Sequence, residues 1–156
     1  MRIRRAMDDD AQPMSDVLKE IIAPTGRTRP PDPAFTLSHD IAAPDGILCS
    51  VAVDQGDRVL GFQSLKRAVA GNHYRVPDGW GIIGTHISPR AHRRGVGTAL
   101  FASSRQAARE AGLTRIDATI GADNPMGLRY YEAMGFRPYR EGDGLVQKLF
   151  VVTPGG

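Results

Sequence analysis

The chain has 156 residues, 41% hydrophobic and 24% charged, a balance that suits one folded soluble domain. No apolar run approaches the roughly 20 residues of a membrane-spanning helix, and a single cysteine, Cys49, excludes an internal disulfide framework or a Cys-rich zinc site. The net charge of +3 rests on arginine, 17 of the 20 basic residues. These are spread along the chain with no basic run interleaved with aromatics, which argues against nucleic acid as a partner.

In chain order, residues 2–5 read as a short strand around Ile3. The basic start is followed by Asp8, Asp9 and Asp10 and not by an apolar signal segment, so a cytoplasmic protein is expected. The three aspartates suit the start of a helix reaching about Ile22. Met14, Val17, Leu18, Ile21 and Ile22 fall on one of its faces, and Pro24 is its expected stop. A proline-rich loop over 23–33 carries Arg27 and Arg29. A short helix over 34–41 and a turn at 44–46 come next, then strands at 47–53 and 59–69 joined by a hairpin connection at 54–57. A polar loop over 70–79, with His73 and Asp78, leads into an apolar strand at 80–88. Cys49, on an interior strand, reads as core and not as a nucleophile.

That strand runs into Pro89 and a basic turn with Arg90, Arg93 and Arg94, after which Gly95 and Gly97 open an alanine-rich helix over 95–111, stopped by Gly112. The stretch has the makings of an anion site. The first N–H groups of a helix lack intrahelical partners, and the helix dipole adds roughly half a positive charge there. Glycines let phosphates approach the backbone, and adjacent arginines add full charges. Val96, Leu100, Ser103, Ser104, Ala107, Ala108 and Ala111 give this helix a small-residue face suited to close packing. Residues 115–120 alternate as a strand. Asn124 is placed as an N-cap with Pro125 at the first helical position, Leu128, Tyr131 and Met134 mark one face of that helix, and Gly135 ends it. A strand from 136, a turn at 141–144 and a last strand at 145–152 complete the order β-α-α-β-β-β-α-β-α-β-β, one α/β domain over 1–156.

Two motifs carry a resemblance. A strand ending Ile87-Ser88-Pro89 is followed by His92-Arg93-Arg94-Gly95-Val96-Gly97, and Asn124 is followed by Tyr131 and Gly135-Phe136. In order and spacing the sequence resembles the GNAT superfamily of acyl-CoA-dependent N-acetyltransferases, with His92 where the family usually has Gln or Arg. The resemblance implies a central, mixed, mostly antiparallel sheet flanked by helices. It implies acetyl-CoA as acyl-donor cosubstrate, no metal, and direct transfer to a primary amine in a ternary complex. His92, Arg93, Arg94, Gly95, Val96, Gly97 and Thr98 would wrap the cofactor's diphosphate. The backbone of His86 and Ile87 would take the pantetheine arm as an added strand, and the N–H near Ile87 would polarise the thioester carbonyl. Asn124 would hold the arm and cap its helix, and Tyr131 would be the general acid.

The chemistry needs a neutral amine, donors at the carbonyl oxygen and a proton for the leaving thiolate. A phenol of ordinary pKa near 10 protonates a thiolate of about 8.5 only uphill, by about 2 kcal/mol, so the transfer is concerted or the tyrosine perturbed. Tyr130 is expected to point elsewhere on the helix. Alternation puts Gly81, Ile83, Thr85 and Ile87 on one face of their strand, none of them ionisable, and His86 on the other. His73, Asp78, Asp123 and ordered water are the remaining candidates for removing the amine proton. A small amine or amino-acid-like metabolite is the leading acceptor, held between the two loops; Arg27 and Arg29 read first as solvated loop charges, with pairing to a carboxylate or phosphate of the acceptor as the alternative. A peptide amine, or a non-catalytic acyl-CoA sensor, are the alternatives. Gly95-x-Gly97 with Asp117 about 20 residues on also fits a dinucleotide-binding fold loosely, but the glycines do not directly follow the strand. No nucleic-acid or membrane partner is expected, and the edge of the last strand would allow a homodimer.

Overall fold

The computed structural model describes residues 1–25, 31–92 and 94–153. Of the residues singled out above, Arg27, Arg29 and Arg93 lie outside these. The strands are β1 (Arg2–Arg5), β2 (Gly46–Val53), β3 (Val59–Arg67), β4 (Gly81–Ile87), β5 (Arg115–Gly121), β6 (Arg137–Gly142) and β7 (Leu145–Val151). The helices are α1 (Ala11–Thr25), α2 (Pro33–Thr36, continued as a π turn over Leu37–Ile41), α3 (Val96–Glu110) and α4 (Pro125–Ala133).

All seven strands form one sheet in the order β1-β2-β3-β4-β5-β7-β6. Every neighbouring pair is antiparallel except β4 and β5, which run parallel. The mixed, mostly antiparallel sheet expected above is therefore present. Its parallel joint is short. Gly81, Ile82 and Ile83 pair with Ile116, Asp117 and Ala118, and there the pairing stops. Residues 84–87 stay paired to β3 on one side, and the edge they turn toward β5 is open.

Helices cover both faces. Met14, Val17 and Leu18 of α1 pack on Val51, Val53, Val59 and Phe62, with Cys49 buried among them as core. On the other face Val96 and Leu100 of α3 meet Ala52 and Leu60, while Phe101 and Ala108 pack with Leu65, Ile83 and Ile116. Ser104 and Ala108 are fully buried, so the small face does bring α3 close to the sheet.

Two helix boundaries differ from the sequence reading. The aspartates form a 3-10 turn, Asp8–Asp10, ahead of α1. Asp10 does the anchoring: its carboxylate accepts from Arg4 Nη1 at 2.7 Å, Arg4 Nη2 at 2.9 Å and the Met7 N–H at 2.7 Å. At the other end α1 continues through Pro24 to Thr25. In a last turn a proline forfeits a single intrahelical bond, so it need not stop the helix before itself.

The connection between β3 and β4 is folded down on the sheet. The Asn72 side chain closes it from within, donating to Val69 O and Val76 O and accepting from the Val76 N–H. From β6, Arg140 Nη2 donates to the carbonyls of Tyr74 and Arg75 at 2.8 and 2.9 Å, and from β7 Gln147 Nε2 donates to Tyr74 O at 3.1 Å. No helix among the described residues is long and apolar enough to cross a membrane.

Candidate active site

The site starts where β4 leaves the sheet. Ser88 ends the strand, and its hydroxyl accepts from the Arg90 N–H at 3.2 Å, shaping a 3-10 turn over Pro89–Ala91. The same hydroxyl donates to Glu20 Oε2 at 2.6 Å. Glu20, on α1, also takes both arms of Arg90, Nη2 to Oε1 at 2.9 Å and Nε to Oε2 at 3.2 Å. The Arg90 pair, with Ser88 helping, holds the Glu20 carboxyl below its usual range. Arg90 is therefore a strut between α1 and the turn and not a loose phosphate-binding charge.

Gly95 then turns the chain into α3 with φ 74°, a left-handed conformation that favours glycine. Gly95 and Thr98 are exposed, so the tip of α3 is open to solvent. Gly97 is glycine for a different reason from the one its sequence suggests. It is buried, and a Cβ there would lie 2.5 Å from Tyr130 Cε1 and 3.2 Å from Ile87 Cδ1. The space is filled by a ring of the protein itself.

Strand β4 shows the expected alternation. The Thr85 side chain reaches α4, where its Oγ1 lies 2.8 Å from the Tyr131 hydroxyl. His86 faces the opposite way and packs at a tilt against Phe62, centroids 4.9 Å and ring planes 36° apart, on the α1 side. Helix α4 begins as its sequence indicates: Asn124 Oδ1 accepts from the Gly127 N–H at 3.1 Å and Pro125 occupies the first position.

Both tyrosines of α4 enter the site. Tyr130 does not point elsewhere, as expected from sequence; its hydroxyl donates to Gly97 O at 2.7 Å and accepts from Gln63 Nε2 at 3.0 Å. Gln63 Nε2 also donates to Thr85 Oγ1 at 2.9 Å. Burial pushes the Tyr130 phenol up to about 12, against the pull of the Gln63 bond. The two rings meet edge to face at 4.9 Å.

These pieces surround a crevice of about 850 Å³ between the open edge of β4 and the facing ends of α3 and α4. It gathers His86, Ile87, His92, Gly95, Val96, Gly97, Thr98, Asn124 and Tyr131 of the residues singled out from sequence, and adds Thr85, Met126, Arg129 and Tyr130. Arg94 lies elsewhere. It lines a separate recess with Met1, Asp54, Gln55, Gly56 and Leu60, because the chain is already turning through Gly95 when it passes. No carboxylate is among the crevice's described lining, and His73, Asp78 and Asp123 do not reach it.

Asp117 is closed off too. It is fully buried on the α1 face of β5, where Tyr139 Oη donates to it at 2.6 Å and Thr119 Oγ1 at 2.8 Å. Burial raises its carboxyl pKa against those bonds. An acid so enclosed cannot receive a ribose, which removes the dinucleotide reading.

Residues 14–136 match the family model of the acetyltransferase (GNAT) family. The chain belongs to the GNAT family. Solved structures share the fold across nearly the whole chain. A GCN5-related N-acetyltransferase from Kribbella flavida is 22% identical with a TM-score of 0.76, covering 96% of each chain. The Salmonella typhimurium protein yncA, solved with its cofactor acetyl-CoA, is 18% identical with a TM-score of 0.72, over 97% of this chain and 94% of that one. A ribosomal-protein-alanine N-acetyltransferase from Brucella melitensis is 16% identical with a TM-score of 0.74, over 97% and 99%. Comparison with curated protein sequences gives no match.

Within this GNAT domain, Glu20, Gln63 and Tyr130 are the participants that sequence reasoning missed. Glu20 carries no local signal. Gln63 does: it is the one amide in an apolar strand and shares a face with Gly61 and Leu65, which marks a buried polar group in need of partners.

Proposed function

We propose that this GNAT protein transfers the acetyl group of acetyl-CoA to a primary amine of a small, amino-acid-like acceptor, by direct attack within a ternary complex. The observation that carries the reading is the early end of the β4–β5 pairing. It leaves a strand edge open over residues 84–87 that leads straight to the exposed tip of α3. An extended, amide-bearing arm fits such an edge as an added strand, and a diphosphate fits the N–H groups of the tip.

In this reading the backbone at His86 and Ile87 holds the arm and donates to the thioester oxygen. His92, Gly95, Val96, Gly97 and Thr98 surround the diphosphate. The phosphate role proposed for Arg94 is weakened by its position in the neighbouring recess, and Arg93 lies outside the described residues. Asn124 caps α4 through its oxygen, which leaves its amide NH2 as the group it would offer to the arm. The acceptor nitrogen, neutral after losing a proton to water, attacks the carbonyl carbon. The C–N bond forms, the C–S bond breaks with its electron pair on sulfur, and the nitrogen, cationic after attack, gives its extra proton to water. Tyr131 supplies the sulfur's proton and recovers its own from solvent. Tyr130 is the poorer donor, since its proton is committed to Gly97 O and its phenol lies up at about 12.

The test is release of CoA from acetyl-CoA with a panel of small amines and short peptides. Turnover on amino-acid-like amines supports the assignment, and turnover on peptides alone moves the acceptor class. With the best amine, Tyr131→Phe is expected to lower kcat while leaving acetyl-CoA affinity nearly intact. Equal loss of both would remove Tyr131 from the acid role.

A further inference from the structure

We infer that Gln63 and Thr85 are positioning residues that fix the direction of the Tyr131 hydroxyl. The inference rests on Tyr131 being the acid proposed above, and it starts from counting protons. Gly97 O is a carbonyl and can only accept, so Tyr130 must donate to it across 2.7 Å. With its single proton so used, Tyr130 can only accept from Gln63 at 3.0 Å. The Gln63 amide therefore turns its NH2 group, and not its oxygen, toward the two hydroxyls. Its second proton goes to Thr85 Oγ1 at 2.9 Å, so Thr85 accepts there. Thr85 keeps its own proton, and the 2.8 Å contact with Tyr131 admits either hydroxyl as donor. The relay assigns that proton to Thr85, so that Tyr131 accepts in the contact and its own proton points off the Thr85 line.

The arrangement does two things for proton transfer to sulfur. It directs the Tyr131 proton off the Thr85 line, and it places a donor on the phenol oxygen as negative charge develops there. The Gln63 side chain carries a cost that fits such a role. It is fully buried on an interior strand, and its Oε1 has no hydrogen-bond partner among the described residues. A leucine would fill the position without that cost, so the amide is explained by what its NH2 group orders.

Three variants test the relay with acetyl-CoA and the best amine of the panel. Thr85→Val keeps the shape and removes the hydroxyl; kcat is expected to fall about tenfold or more, with KM for acetyl-CoA within about twofold. Thr85→Ser restores the hydroxyl and should return kcat to within about threefold of the wild type. Gln63→Glu, when ionised, can only accept, which reverses the chain so that Thr85 accepts from Tyr131. It should match Thr85→Val in kcat, with urea unfolding of each variant confirming a folded protein. Wild-type kcat in Thr85→Val, while Tyr131→Phe is impaired, overturns the relay and leaves the acid in place. Wild-type kcat in Tyr131→Phe removes the acid itself. Should no amine be turned over, calorimetry reads the relay instead, through the preference for CoA over desulfo-CoA at about pH 8.5, where a CoA thiol of cysteine-like pKa is half ionised. Loss of that preference in Thr85→Val supports the relay, and an unchanged preference overturns it.

Discussion

The phenol of Tyr130 donates to the carbonyl oxygen of Gly97, and its ring occupies the volume in which a side chain at 97 would begin. One contact thus fixes how closely α4 approaches the first turn of α3, and with it the width of the crevice. Gly97→Ala would put a methyl group 2.5 Å from the ring. The expected cost is about 1–3 kcal/mol of stability, as for other overpacked sites, together with weaker acetyl-CoA binding. Urea unfolding and calorimetry read the two effects, and unchanged stability would mean that the ring does not select the glycine.

Gly95 should respond differently. No atom of the described residues lies within 4 Å of a Cβ added there, so among them its constraint is the φ of 74° alone. Gly95→Ala is expected to cost about 1–2 kcal/mol from backbone strain, and Gly95→Asn less, since asparagine tolerates the left-handed region. Equal losses in the two variants would point to a steric cause instead.

Glu20→Gln tests the strut between α1 and the turn. The Glu20 carboxyl is held low by Arg90, so its contribution is present above the unfolded pKa and lost as pH falls through the depressed folded value. At pH 7 the variant should be less stable by about 1 kcal/mol, the scale for a partly exposed pair. The gap should close on titration to below the ordinary carboxylate range. A difference that persists in acid would show that the ion pair is not its source.

Asp117 has the opposite sign. Burial raises its carboxyl pKa, so the folded state keeps that proton to higher pH than the unfolded state does. The wild type should therefore lose stability as pH rises from the unfolded value, near 4, through the raised folded one. Asp117→Asn removes this term. Its stability relative to wild type should improve across that interval and level off above it, as followed by urea unfolding at a series of pH values. A constant difference would place the ionisation elsewhere.

Sequence made the strand-turn-helix of the proposed anion site and the Asn124-Pro125 cap legible, because both are local: the chemistry that shapes them lies within four residues. Alternation along β4 correctly separated Thr85 from His86 for the same reason. Contacts across long separations were out of reach. Arg90 reads as a free charge until Glu20, 70 residues earlier, arrives beside it. Gly97 gives no sign of the ring beside its Cα until Tyr130, 33 residues later, packs there. The two tyrosines of α4 could not be ranked from helical spacing, since adjacent positions can both enter a crevice that α3 bounds on one side and β4 on the other. Asp117 was legible as an acid on a strand, but its enclosure by Tyr139, Thr119 and Gln147 depends on the order β5-β7-β6, which no local pattern announces.

Three register pairs are all that stitch the β1–β4 half of the sheet to the β5–β7 half. A guest laid along the vacant border would act as a missing rung, so the coenzyme would serve as a building material as well as a reagent. Saturation at a hundred times its dissociation constant would add about 2.7 kcal/mol to the resistance against unfolding. Slowed amide exchange along both lips of the seam would record the same effect, and the cell's supply of the coenzyme would then govern how long the protein endures as well as how fast it works.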